Sequence, residues 1–272
     1  MIIISNKPGQ LGNLLFIYAN FLAYSLETSV LLANPAFYPY RSYFKSTAGF
    51  FINKITYTFC YVIARVLFKL KIKTKLISAI TLDWGETVEL ENAPLLKSKL
   101  CFAQGWLFRS DTLMKKHKQK IVDFFEPNEL FKAKINSFFK NNKIENDLII
   151  GIHIRQGDYK TFENGKYYYS TEQYLEIIKK LASLFETKQP HFLICSNETV
   201  NINEESIKGL KITFAPGHEL MDMYCLAKCN YIAGPPSTYS MWASFYGNVP
   251  LYMIEDTNRE IGIDDFKINL SA

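Results

Sequence analysis

The stretch His153-Ile154-Arg155-Gln156-Gly157-Asp158-Tyr159 gathers an imidazole, a guanidinium and a carboxylate around one glycine. It follows Leu148-Ile149-Ile150-Gly151-Ile152, an apolar run that reads as a buried strand of a parallel sheet. Alternation along the strand puts His153 and Arg155 on one side and Ile154 on the other. Open α/β sheets bind ligands outside the carboxyl ends of their strands, so this cluster falls where a ligand would sit. An arginine fork matches phosphate oxygens, and Asp158 is spaced to orient it. The same residues also suit a strand-end salt bridge followed by a turn at Gly157-Asp158.

Two further strand ends carry polar groups. Ser196-Asn197-Glu198 closes the apolar run 191–196, and Ser237-Thr238-Tyr239-Ser240 follows a short strand at 231–233. In a parallel sheet all three ends lie along one edge. Ser237 and Thr238 open a helix, where a hydroxyl caps free amides or the same amides take a phosphate. Asp222 begins a helix near this edge, placed to accept hydrogen bonds from a base. Three such ends together with an arginine point to a nucleotide or nucleotide sugar, with Arg155 on the diphosphate.

The positioning elements are legible from residue 148 onward. Strands at 148–154, 191–196, 211–214, 231–233 and 250–254 alternate with helices, which implies βαβ units and a parallel sheet. Ser170 and Gln173 have the spacing of a capping box. Tyr174, Ile177, Ile178, Leu181 and Phe185 then recur at helical spacing. Helices are also expected at 203–208, 219–229 and 239–246. In the first half, residues 1–5 read as a strand, Lys7 to Asn13 as a glycine-containing turn and Leu14 to Leu26 as a helix. That order brings backbone amides toward an anionic ligand, but the turn is neither a Walker loop nor GxGxxG. Helices are expected at 111–125 and 128–139. Trp84, Trp106 and Phe108 suit packing or sugar stacking. The polar run 141–147 reads as a linker. The expected domains are 1–146, with a helical, basic insertion at about 41–80, and 147–255. A tail at 256–272 is expected to cross back to the first half.

Bulk properties narrow the class. The chain has 272 residues, 48% hydrophobic and 21% charged, the composition of a folded protein of one large or two ordinary domains. A net charge of +5 without a dense basic stripe or a nucleic-acid motif gives no case for nucleic acid as partner. Five cysteines without a CxxC pair or a disulfide spacing argue against a structural zinc site and for a reducing compartment. Met1-Ile2-Ile3-Ile4 leads into a strand rather than a secretory leader, so a cytoplasmic location is expected. Residues 48–68 are apolar, but Asn53, Lys54 and Arg65 interrupt them, and Lys69, Lys71, Lys73 and Lys75 follow. Charges are costly inside a span. The segment 48–75 therefore reads as a peripheral membrane contact or as an ordinary core helix with a solvated tail.

Four segments carry a family resemblance. His153-Ile154-Arg155-Gln156-Gly157-Asp158-Tyr159 resembles the H-x-R-R-G-D-Y motif of the α-1,2-fucosyltransferases and their bacterial relatives. The run from Gly9 to Ala19 is similar to that family's G-G-L-G-N-Q-x-F-Q-Y-A. Asp222-Met223-Tyr224-Cys225-Leu226-Ala227 resembles D-L-Y-L-M, and Ser237 to Ala243 resembles S-T-F-S-x-W-A. The four occur in the family's order. The resemblance implies an α/β fold of GT-B type, two Rossmann-like domains facing a cleft. It implies inverting, metal-independent transfer of fucose from GDP-fucose to a glycan hydroxyl, with no cofactor. Arg155 would neutralise the β-phosphate as GDP leaves. Asp158 is the motif carboxylate, suited to catalysis or to bracing Arg155. His153 and Asp222 would line the guanosine site. Ser237 and Thr238 would hold phosphate oxygens, with Ser196, Asn197 and Ser240 on the same edge. Gly9, Gly12 and Asn13 would come from the first domain, Asn13 near the sugar or acceptor. A surface polysaccharide or lipid-linked glycan is the expected acceptor. Glu163, Asp83 and Glu86 are acidic residues in loops, each a solvated charge or a catalytic base. The chain departs from the family pattern at Gln156, Gln10 and Pro236. These departures leave room for another nucleotide sugar as donor, or for an inactive binding relative.

Overall fold

The computed structural model describes every residue except 84, 94–97, 202–203 and 270–272. The chain folds into two units, Met1–Asn128 and a second that begins at Glu129. The first unit runs β1 (Ile2–Ile4), α1 (Leu11–Thr28), β2 (Leu32–Ala33), α2 (Lys54–Lys69), β3 (Ile77–Thr81), β4 (Val88–Glu89), β5 (Leu100–Gln104), β6 (Phe108–Arg109), α3 (Asp111–Lys116) and α4 (Lys118–Phe124). Its main sheet has the order β2-β1-β5-β3, all parallel, and β4 pairs with β6 apart from it. Helix α1 is apolar on nearly every face and correspondingly buried. The turn before it needs Gly9. Its φ is +77°, and a β-carbon there would meet the Asn13 side chain at 2.0 Å. Tyr18 on α1 packs edge-on with Phe37, Phe124 and Phe125, and Phe44 closes the cluster against Phe125.

The second unit runs α5 (Glu129–Asn141), β7 (Ile149–Ile154), α6 (Thr171–Leu184), β8 (His191–Ser196), β9 (Lys211–Phe214), α7 (Glu219–Leu226), β10 (Tyr231–Gly234), α8 (Thr238–Gly247), β11 (Pro250–Met253) and β12 (Lys267–Ile268). The sheet order is β12-β11-β10-β7-β8-β9, parallel except for the β11–β12 pair. Strand β7 lies inside this sheet and all six of its residues are buried. Ile150, Ile152 and Ile154 pack with Tyr174, Ile177, Ile178 and Leu181 of α6. On the other face a β-carbon at Gly151 would meet Leu226 and Cys229, and His153 lies against Tyr239. The predicted alternation of β7 is therefore the observed one. Both hydrogen bonds of the Ser170–Gln173 capping box are present.

The structure differs from the sequence reading in several places. The boundary falls at 128/129 rather than in the polar run 141–147, because α5 packs onto α7. There Lys228 donates to Asn136 at 2.7 Å, and the Phe131 and His218 rings lie 5.1 Å apart. The tail through Asn269 does not cross back; β12 adds an antiparallel edge to the second sheet. The region 41–80 holds the expected helix, but also β3, which pairs with β5. The helix expected over 111–125 is two, meeting at His117. The segment 203–208 is a short 3-10 turn, Glu204–Ile207, with residue 203 outside the described residues, as is Trp84. All five cysteines are buried thiols. Among the described residues no helix is long and apolar enough to cross a membrane.

Gly234 marks a place where the sheet tolerates no side chain. A β-carbon there would lie 2.8 Å from the His153 β-carbon and 3.0 Å from its carbonyl oxygen. Both contacts involve strand β7, which cannot move independently of the sheet. Gly234→Ala should therefore destabilise the protein by about 1–3 kcal/mol. Denaturant unfolding checks this, and an unchanged midpoint would contradict the packing described.

Candidate active site

The end of β7 sets the position of Arg155. The Tyr174 hydroxyl, on α6, accepts from the Arg155 amide at 3.3 Å and fixes the main chain where the strand stops. The guanidinium then donates through Nε and Nη2 to the two oxygens of Asp158, at 3.0 and 2.8 Å. This two-pronged geometry is the strong form of an arginine–carboxylate pair. The Tyr159 ring lies below, 5.4 Å from the guanidinium carbon. The Arg155 side chain is 13% exposed and that of Asp158 is 51% exposed. Burial works hardest against the guanidinium charge, but the hydrogen bond to Asp158 and the charge of that carboxylate, helped by Tyr159 and Tyr239, together offset it and hold the pKa above the usual value. The same bond pulls the Asp158 carboxyl below the ordinary range. A carboxylate with both oxygens engaged and a lowered pKa is a weak proton acceptor. Asp158 therefore serves as the residue that orients Arg155.

Three strand ends are stitched together around this pair. The Tyr159 hydroxyl donates to the Pro236 carbonyl at 2.5 Å, joining the loop after β7 to the loop after β10. The Asn197 side-chain oxygen accepts from the Gln156 amide at 3.3 Å, joining the loop after β8. Ser196 accepts from the Glu198 amide at 3.2 Å and shapes that loop. Ser237 caps α8 by accepting from the Tyr239 amide at 3.3 Å. Thr238 is the first residue of α8. Ser240 is wholly buried and donates to the Ser237 carbonyl at 3.2 Å. It holds the helix start rather than facing the edge where it was expected to bind.

His153 is 3% exposed, and its Nδ1 has no hydrogen-bond partner among the described residues. Its ring lies 4.9 Å from that of Tyr239 at an interplanar angle of 32°. Burial, reinforced by the neighbouring Arg155 charge, lowers its pKa to about 3, so the imidazole is neutral at physiological pH. A buried polar atom left unpaired beside a strand-end arginine is a feature that a bound ligand would explain. Asp222 is also buried. Its Oδ1 accepts from the amides of Gly217 and His218 at 3.0 and 3.3 Å, bracing the turn that enters α7. Burial raises its pKa to about 6. Gln156, where the resembled motif has a second arginine, is turned inward and donates to the Tyr169 carbonyl at 3.0 Å. The neutral side chain fits that buried position, where an unpaired cation would be costly.

The remaining predicted residues belong to the first unit or stand apart. Gly12 is buried in the first turn of α1, and Asn13 beside it is half-buried over Gly9. Trp106 carries the Arg109 guanidinium 5.1 Å above its ring, and Phe108 is core. Glu163 is exposed in a left-handed turn, and Glu86 accepts from the Asp83 amide at 2.8 Å, closing its own loop. Two site residues escaped the sequence reading in these roles. Tyr174 lies on the apolar stripe of α6 and reads as core, although its hydroxyl holds Arg155. Tyr239 stands beside Ser237 and Thr238, and nothing in its spacing marks it as the partner of His153.

No protein-family model and no curated protein matches the chain. Solved structures do share its fold. A mutant of Arabidopsis thaliana FUT1 in complex with GDP superposes with a TM-score of 0.66 at 14% identity, over 100% of this chain and 75% of that one. NodZ α-1,6-fucosyltransferase, described from Bradyrhizobium and soaked with GDP-fucose, gives 0.55 at 15% identity, over 96% and 97%. The apo form of POFUT1 gives 0.53 at 11% identity, over 91% and 95%. At such identities the likeness establishes the fold, an α/β architecture of GT-B type with two parallel-sheet units.

Proposed function

We propose that this chain is an inverting, metal-independent glycosyltransferase that moves fucose from GDP-fucose to a glycan hydroxyl. The observation that carries the proposal is the Arg155 fork, held by Asp158 at the end of β7 where the ends of β8 and β10 are tied to it. A shared fold with structures that hold GDP and GDP-fucose supports a guanine nucleotide as the carrier. The four motif segments resemble those of the α-1,2-fucosyltransferases, and the apolar, basic segment 48–75 suits a surface polysaccharide or lipid-linked glycan as acceptor. That acceptor suits a cytoplasmic enzyme working at the inner membrane face.

In this reading the acceptor oxygen forms a bond to the anomeric carbon of fucose as the bond from that carbon to the β-phosphate oxygen breaks. The electron pair leaves with GDP, and the hydroxyl proton is lost to a base or to solvent. The charge that develops on the departing diphosphate is met by Arg155, whose orientation is set before the donor arrives, and by Ser237 and Thr238 at the start of α8. This supplies positive charge without a metal ion. Neutral His153 and the turn braced by Asp222 line the guanosine end, with Asn197 fixing the loop between them. The motif resemblance also assigns Gly9, Gly12 and Asn13 of the first unit a part in the transfer, Asn13 at the sugar or the acceptor.

Arg155→Ala should lower turnover of GDP-fucose on a galactoside panel by roughly 10²–10³-fold, about 3–4 kcal/mol of transition-state stabilisation. Arg155→Lys should recover only part of it, because a point charge replaces a fork. A melting temperature close to wild type shows that the fold survives, and unchanged turnover would remove Arg155 from the mechanism. The raised Asp222 pKa gives a second expectation. The carboxylate is ionised above about pH 6 and protonated below it. The charged acceptor that holds the Gly217 and His218 amides is thus lost on acidification. GDP affinity should fall as pH drops from about 7 to about 5 across that pKa, and Asp222→Asn should flatten the dependence. Affinity that is constant across this range would contradict the assignment.

A further inference from the structure

Helix α2 has two apolar faces. One, with Cys60, Ala64 and Leu67, packs against Ala79 and Phe102 of the first sheet. The other faces outward: Ile55, Phe59, Val62 and Val66 recur at i, i+4, i+7 and i+11 and are 85%, 67%, 52% and 48% exposed. Helices apolar on both sides are normally buried, so the outward stripe is left uncovered in the isolated chain. Phe50 and Phe51 extend it at 85% and 74% exposure. They are fixed there: Arg41 donates to the Ile52 carbonyl at 3.0 Å, and Asn53 caps α2 while donating to the Phe50 carbonyl.

Charge selects the occupant. Residues 28–82 hold eight of the chain's 31 Lys and Arg and none of its 26 Asp and Glu. Lys69 continues the stripe one turn beyond Val66, Lys54 and Arg65 flank it, and Lys71, Lys73 and Lys75 follow, all exposed. A second copy docking face to face would set these like charges against each other, since a two-fold contact repeats the same patch. Exposed apolar side chains bordered by lysines match an anionic lipid surface, with the rings and aliphatic groups among the acyl chains and the ammonium groups at the headgroups.

We propose that α2 and the Phe50–Phe51 turn form a docking surface for an anionic lipid bilayer. The helix lies in the plane of the interface, and its 16 residues span about 24 Å along it. The stripe and its charges carry this inference, so it stands or falls separately from the donor assignment.

Flotation of the whole chain with vesicles tests it. Phosphatidylcholine containing phosphatidylglycerol should retain the protein, whereas phosphatidylcholine alone, or high salt, should release it. Replacing Lys69, Lys71, Lys73 and Lys75 by Gln should weaken retention by up to roughly a thousandfold. Phe59→Asp should abolish it; Phe59 lies outside the core, and circular dichroism confirms that each variant is folded. Three outcomes would overturn the proposal. The first is no retention on anionic vesicles, and the second is retention that neither variant changes. The third is a dimer by sedimentation that Phe59→Asp dissociates, which would make a second copy the occupant.

Discussion

Arg155 is held in a two-pronged hydrogen bond to Asp158 where β7 leaves the sheet, and the geometry of the whole candidate site depends on that pair. A guanidinium on a flexible loop would lose side-chain entropy each time it met a phosphate. Here the backbone is fixed by the Tyr174 hydroxyl, the fork by Asp158, and the face by Tyr159. Burial alone would lower the arginine's pKa; the paired carboxylate keeps the charge in place. The arrangement sets a permanent cation at one strand end.

The rest of the second unit explains why that strand end stays put. β7 is buried on both faces, with isoleucines on α6 and a glycine under α7. β10 comes so close at Gly234 that no β-carbon fits. The loops after β8 and β10 are then tied to the loop after β7 through Asn197 and Tyr159. Loss of any of these ties displaces Arg155 or Ser237 by loosening a neighbouring loop. Neutral His153, whose Nδ1 has no hydrogen-bond partner among the described residues, and Asp222, whose pKa burial pushes up to about 6, lie on the same side of the sheet.

Much of this is legible in the sequence because buried parallel strands and capped helices obey strong local rules. His191–Ser196 and Lys211–Phe214 are observed where the apolar runs place them, and Ser170-x-x-Gln173 marks the start of α6. The cluster at 153–159 is visible as chemistry because its residue types stand at the end of such a strand. The first unit is harder to read. β3 lies in a stretch dominated by aromatic and basic residues, and its place in the sheet comes from pairing with β5. Polarity marks 141–147 as a linker, yet α5 packs on α7 through contacts that local composition does not encode. Long-range contacts also decide the side-chain roles that spacing leaves open. Ser240 faces inward because α8 packs there, Gln156 turns to Tyr169, and Asp222 braces its own turn.

Calorimetric titration of the purified chain with GDP, UDP and GDP-fucose in EDTA tests the central claim most directly. GDP and GDP-fucose should bind without metal, and UDP should bind much more weakly. Preference for UDP, or a requirement for a divalent cation, would contradict the assignment of Arg155 and its neighbours to a metal-free guanine-nucleotide site.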